Sequence, residues 1–151
     1  MTLPFPSSPV LGENIATSID RIEQNLEYLD DALTTSTMKL INKTYDMATT
    51  AGAVAITGVG FTPASIVVFA MEYLGEAHSW GASDATSNMC TYSDYSVASG
   101  SSSTKLLYLL QAAGDSQEAV LTSYDSDGAT LTFTKTGTPT GNMALILLFM
   151  G

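Results

Sequence analysis

Residues 117–135 read QEAVLTSYDSDGATLTFTK. Leu131 and Phe133 alternate with Thr130, Thr132 and Thr134. A period of two buries one face of an extended chain and leaves the other in water. Asp125-Ser126-Asp127-Gly128 breaks the run, and Asp-Gly is a pair suited to a hairpin turn. The stretch therefore predicts two antiparallel strands joined by a tight turn. After the turn residues TGTPTG, Asn142 to Met150 reads NMALILLFM and is apolar on both faces. Such a strand needs a layer on each side, or a subunit interface on one of them.

The same signal continues toward the N-terminus. TKLLYLLQA, Thr104 to Ala112, fits a helix or a buried strand by its apolar run alone. Its place between strands, after a loop reading SGSSS, favours a strand. Glu76 to Gly81 and Asn88 to Val97 read as polar strands. Ala53 to Thr57 (AVAIT) and Ser65 to Met71 (SIVVFAM) are apolar strands, separated by the turn signals of GVGFTPA. Met38 to Tyr45 fits either a last helical turn or a first strand. About eight strands at such spacing predict a mainly β chain, with an antiparallel, jelly-roll-like sandwich over residues 36–151.

Residues 13–35 follow a different rule. Ile15, Ile19, Ile22, Leu26, Leu29 and Leu33 recur at alternating spacings of four and three. That is an a/d seam about three heptads long, and Ile at both a and d leans toward three strands in a parallel bundle. Glu23 and Asp30 at e, with Ser18, Asn25 and Ala32 at g, offer no basic partner across the seam. A helix of this length is marginal alone, so it must pack on its own β domain or on other copies. A homotrimer is the expected state. Residues 1–12, MTLPFPSSPVLG, carry Pro4, Pro6 and Pro9 and read as an extended arm. Leu3, Phe5, Val10 and Leu11 would be its anchors on another protein.

Composition narrows the function. The net charge is −10, and the five basic residues, Arg21, Lys39, Lys43, Lys105 and Lys135, form no basic patch. Binding to nucleic acid or to an anionic membrane is not expected. Charged residues are 13% of the chain, about half the usual share. Cys90 is the only cysteine, so no intramolecular disulfide forms. Met1 to Pro9 lacks the basic and apolar regions of a secretory leader, so none is expected.

No motif carries a reaction. Gly58-Val59-Gly60 lacks the following helix and the Lys of a phosphate loop, and reads as a turn. His78 is the only histidine. Ser79 and Asp84 are near it in sequence, yet a triad needs both nucleophile and acid in register with it. Asp125-x-Asp127-Gly opens like a calcium loop, but Thr136 stands where the twelfth-position acid belongs. Glu72 with Glu76 gives no sign of the cleft that glycoside hydrolysis requires. No catalytic residue, metal or cofactor is expected. Trp80, Tyr92 and Tyr95 are the candidates for stacking on a sugar, because an aromatic ring can present its face in a loop.

Two stretches carry a resemblance. PVLGENIATSIDRIEQNLEYLDDAL resembles the Pro-led arm and helix that open many fibre and head-decoration subunits of tailed bacteriophages. ITGVGFTPASIVVFA, SYDSDGATLTFTK and the apolar last strand resemble a β domain of phage minor structural proteins. There a Gly-Phe-x-Pro turn precedes a buried strand and an Asp-Gly hairpin leads to the final ones. Together they cover about half of the chain. The resemblance implies a trimeric appendage on a virion assembled in the host cytoplasm. Two roles follow as expectations. One is a capsid decoration or short head-fibre subunit, docked on the major capsid protein or another virion protein by its arm and helix. The other is a tail-fibre or tail-tip adhesin whose β head binds a host glycan or protein.

Overall fold

A computed structural model of the chain describes residues 19–27, 37–73, 75–94 and 98–151. Residues 19–27 form a helix, α1. Met38–Gly151 form a separate compact unit. The expected seam residues Ile15, Leu29 and Leu33, the arm residues Leu3, Phe5, Val10 and Leu11, and Tyr95 lie outside the described residues.

The described residues of the compact unit form ten strands: β1 (Met38–Asp46), β2 (Gly52–Thr57), β3 (Ser65–Glu72), β4 (His78–Ser83), β5 (Asn88–Ser93), β6 (Ser99–Ser102), β7 (Leu107–Ala112), β8 (Asp115–Asp125), β9 (Gly128–Thr136) and β10 (Asn142–Met150). They make a six-stranded sheet of order β1-β10-β3-β4-β5-β6 and a four-stranded sheet of order β2-β9-β8-β7. Every pairing is antiparallel. The chain changes sheet after β1, β2, β6 and β9, and the last strand slots between the first and the third. Between those crossings run two meanders, β3 to β6 and β7 to β9.

The alternation read from the sequence locates the core. Met143, Leu145, Leu147 and Phe149 of β10 are buried, as are Leu131 and Phe133 of β9. They belong to one hydrophobic cluster with Ile66 and Val68 of β3, Leu107 and Leu109 of β7, and Ile56 of β2. Residues from both sheets thus share one core, which is a sandwich-like arrangement. Each buried Leu, Ile or Phe contributes about 1.5–3 kcal/mol relative to an exposed one. Tyr45 of β1 lies flat on Phe133, with ring centroids 4.0 Å apart and planes 12° from parallel.

Met38 to Tyr45 lies in the strand β1, and of TKLLYLLQA the last six residues, Leu107–Ala112, form the strand β7, while Thr104 to Leu106 lead into it. Ser99 to Ser102, expected as loop, is instead the edge strand β6, held by the β5 ladder. A strand of Ser and Gly has no hydrophobic period, so only its partner's backbone identifies it. The final hairpin also differs in detail. Ser126 and Asp127 make the two-residue turn, and Gly128 is already the first residue of β9. Its φ is 149°, and a Cβ there would stand 1.9 Å from the carbonyl oxygen of Ile56. The glycine is required by the close approach of β2.

Candidate functional site

The sheet pleat decides which side chains can meet a partner. Residues directly opposite on paired strands share a face. On β10, Met143, Leu145, Leu147 and Phe149 point into the core, so Ala144, Ile146, Leu148 and Met150 point outward. Register then carries this outward row across the six-stranded sheet. Leu40 of β1 faces Leu148, and Met38 faces Met150. Val67, Phe69 and Met71 of β3 face Leu148, Ile146 and Ala144. Phe69 and Val67 face Trp80 and Ala82 of β4, and Ala82 faces Met89 of β5. The outer face is therefore a continuous apolar field over five strands. Trp80 is 56% exposed, Met89 59% and Ile146 43%. Phe69 braces Trp80, with centroids 4.3 Å apart and planes tilted by 46°.

Two shallow grooves flank the indole. One, of about 380 Å³, runs between Trp80, Ala82, Met89 and Ser101. The other, of about 370 Å³, is lined by Phe69, Met71, His78, Trp80 and Ile146. The only ionisable groups on the outward rows of these five strands are His78 and, at the end of β1, Asp46.

The inner side of β4 anchors the face. Ser79 is fully buried. Its hydroxyl donates to the Thr91 carbonyl at 3.0 Å and accepts from the Tyr108 N–H at 3.0 Å. One side chain thus ties β4 to β5 and to β7 of the other sheet. Next to it, a Cβ on Gly81 would stand 1.7 Å from the carbonyl oxygen of Leu106. Only glycine lets β4 lie so close to the segment entering β7. Cys90 is buried there too, and burial pushes its thiol up, against the opposing pull of Ser79.

The expected aromatic grouping is split by the pleat. Trp80 pairs with Thr91, whereas Tyr92 pairs with Ser79 on the opposite face. Tyr92 meets Tyr108 edge to face at 4.6 Å. Lys105 sits 4.1 Å over the Tyr108 ring and pairs with Glu118. Ser79 and His78 likewise point to opposite sides of β4. The His78 ring contacts the Glu76 carbonyl through Nδ1 at 3.0 Å. Asp84 accepts from the Thr86 hydroxyl and from the N–H groups of Thr86 and Ser87, which holds its carboxyl below the usual range. Glu72 accepts from the Gln111 amide. Among the described residues no group of three or more His, Cys, Asp or Glu could hold a metal ion.

The two remaining motifs meet each other. The N–H groups of Gly58 and Gly60 donate to the Asp127 carboxylate at 3.0 and 2.6 Å, and Val59 N–H donates to the Asp127 carbonyl at 3.3 Å. Gly58 and Gly60 have φ of 87° and 89°. Successive N–H groups turned to one side form a nest that favours an anion. Here the anion is the hairpin's own aspartate, and these bonds hold its carboxyl below the usual range. Asp125 accepts from Ser123 and Thr130 instead. Both turns are locked to each other, across 67 to 69 residues of chain.

On α1, the described seam residues Ile19, Ile22 and Leu26 are 47%, 50% and 59% exposed. Among the described residues, no helix is long and apolar enough to cross a membrane. No family model matches the chain, and neither the curated proteins nor the solved structures hold a match to it.

Proposed function

We propose that this chain is a non-enzymatic structural subunit of a tailed-phage virion, a homotrimeric head-decoration or short head-fibre protein. Its arm and helix, residues 1–35, dock on the major capsid protein, and its β unit projects outward. The observation that carries this reading is the exposed stripe Ile19, Ile22 and Leu26 on α1. An apolar helix face costs free energy in water until other chains cover it. The chain's own residues would act by binding alone: the stripe bundles copies, the arm anchors them, and the interlocked β turns keep the head rigid. The negative charge suits an outer component that does not touch packaged DNA.

The test is co-sedimentation of purified chain with capsids lacking it. Saturable binding that disappears on removing residues 1–34 is expected. Binding unchanged by that deletion would refute the docking role. A second reading, a tail adhesin, is favoured by one observation, the exposed indole of Trp80 between two grooves. It requires Trp80→Ala to lower adsorption to host cells.

A further inference from the structure

We propose that the outer face of the six-stranded sheet is a subunit interface, buried in the assembled protein against the same chain's other copies. The proposal rests on the self-assembly part of the function proposed above. It names a second contact, made by the β unit and distinct from the helical seam.

Concentration is the first argument. Among the described residues, Met38, Leu40, Phe69, Met71, Trp80, Met89 and Ile146 are seven of the eight large hydrophobic side chains that the compact unit exposes, and a concentration of that kind on one face, unlike singly scattered residues, marks an interaction surface. The seven side chains are also contiguous through the strand registers, so the area can be covered by one surface.

Chemistry is the second. The field holds one Trp, one Phe and four of the seven methionines, with no Lys, Arg or Glu on its outward rows. Enrichment in aromatics and Met with depletion of Lys and Glu marks the buried centre of an interface. A basic partner would be met by carboxylates, and this face has only Glu76 at the edge of the groove beside Trp80 and Asp46 at the end of β1. A copy of this chain carries −10 overall. Two such chains approach at least cost where each presents least charge, and this face satisfies that condition on both sides.

Linkage is the third. A seam that gathers copies raises the local concentration of their β units to about the millimolar range. Only four residues, 34–37, separate the seam's last position, Leu33, from β1, whose outward row begins with Met38 and Leu40. A face that would pair weakly between free chains closes when the chains are already tethered.

Trp80 is the only tryptophan in the chain, so its fluorescence reports on this face alone. The experiment uses the full chain, with mass from analytical ultracentrifugation and acrylamide quenching of Trp80 on the same samples. The expected result is an oligomer in which Trp80 is quenched several-fold less than in the diluted monomer. Dilution to monomer should restore the full quenching. Ile146→Lys should do so at concentrations where the unaltered chain is assembled, with its far-ultraviolet circular dichroism unchanged. Met89→Lys, at a more exposed position, serves if that variant does not fold. An oligomer whose Trp80 is quenched as readily as in the diluted monomer overturns the interface and leaves the helical self-assembly standing. A monomer at all concentrations overturns both.

Discussion

Replacing Ser79 by Ala tests the clamp between the two sheets. The hydroxyl makes two bonds of 3.0 Å, donating to Thr91 and accepting from Tyr108, in a site with no exposure. Ser79→Ala removes one oxygen and little volume, so no large cavity term enters. The Tyr108 N–H loses its acceptor, and an unsatisfied buried donor costs about 1–3 kcal/mol. The Thr91 carbonyl loses a donor worth about 0.5–1.5 kcal/mol net. The two effects together predict a loss of about 1.5–4.5 kcal/mol, a large share of the ~5–15 kcal/mol that holds a typical domain folded. Urea unfolding followed by Trp80 emission and by circular dichroism measures it. The midpoint should fall with the slope unchanged, because the surface exposed on unfolding is the same. Ser101→Ala, an exposed position in β6, should stay within about 0.5 kcal/mol of the unaltered chain. A Ser79→Ala loss below about 0.5 kcal/mol would show that β7 does not depend on this hydroxyl, and would refute the clamp.

Phe133→Ala should destabilise by about 3–5 kcal/mol, because a fully buried ring stacked on Tyr45 leaves a cavity, and chemical denaturation would read it. Gly81→Ala should cost more than about 2 kcal/mol, since the new Cβ meets backbone at Leu106 and Met89 rather than a movable side chain; unaltered stability would overturn the close approach. Asp127 has a folded pKa below its ordinary 3.8. Its contribution is present above that value and is lost as pH falls through the lower folded pKa, so Asp127→Asn should flatten the acid limb of a stability–pH curve below about 4. Tyr124 donates to the Ser83 carbonyl at 2.8 Å, and burial, with Asp84 nearby, pushes its pKa up to about 12. Its stabilisation is complete below pH 10 and is lost as pH rises toward 12, so alkaline unfolding titrations of Tyr124→Phe should lack that fall.

Much of the strand content was legible because alternation is local. Leu131 and Phe133 among threonines, and the nine apolar-rich residues of β10, announce strands wherever the chain goes. Of the expected seam, Ile19, Ile22 and Leu26 fall on the described helix α1 and are exposed, while Ile15, Leu29 and Leu33 lie outside the described residues. β6 was not legible, since four Ser and Gly residues carry no period and depend on the β5 ladder. The grouping of Trp80 with Tyr92 failed for a physical reason. Neighbourhood in sequence counts residues, whereas the pleat sends residues of opposite parity to opposite faces.

By itself, then, the sequence determined that the chain is mainly β, where most strands and turns fall, and that one strand is apolar on both faces. Those properties depend on neighbours a few residues apart. Tertiary structure alone decided that the Gly58–Gly60 turn holds Asp127, that Ser79 bridges two sheets, and that residues from five strands join into one apolar face. Each of these pairs groups that lie far apart in the chain, and only strand order and register bring such groups within the few ångströms over which hydrogen bonds and apolar contacts act.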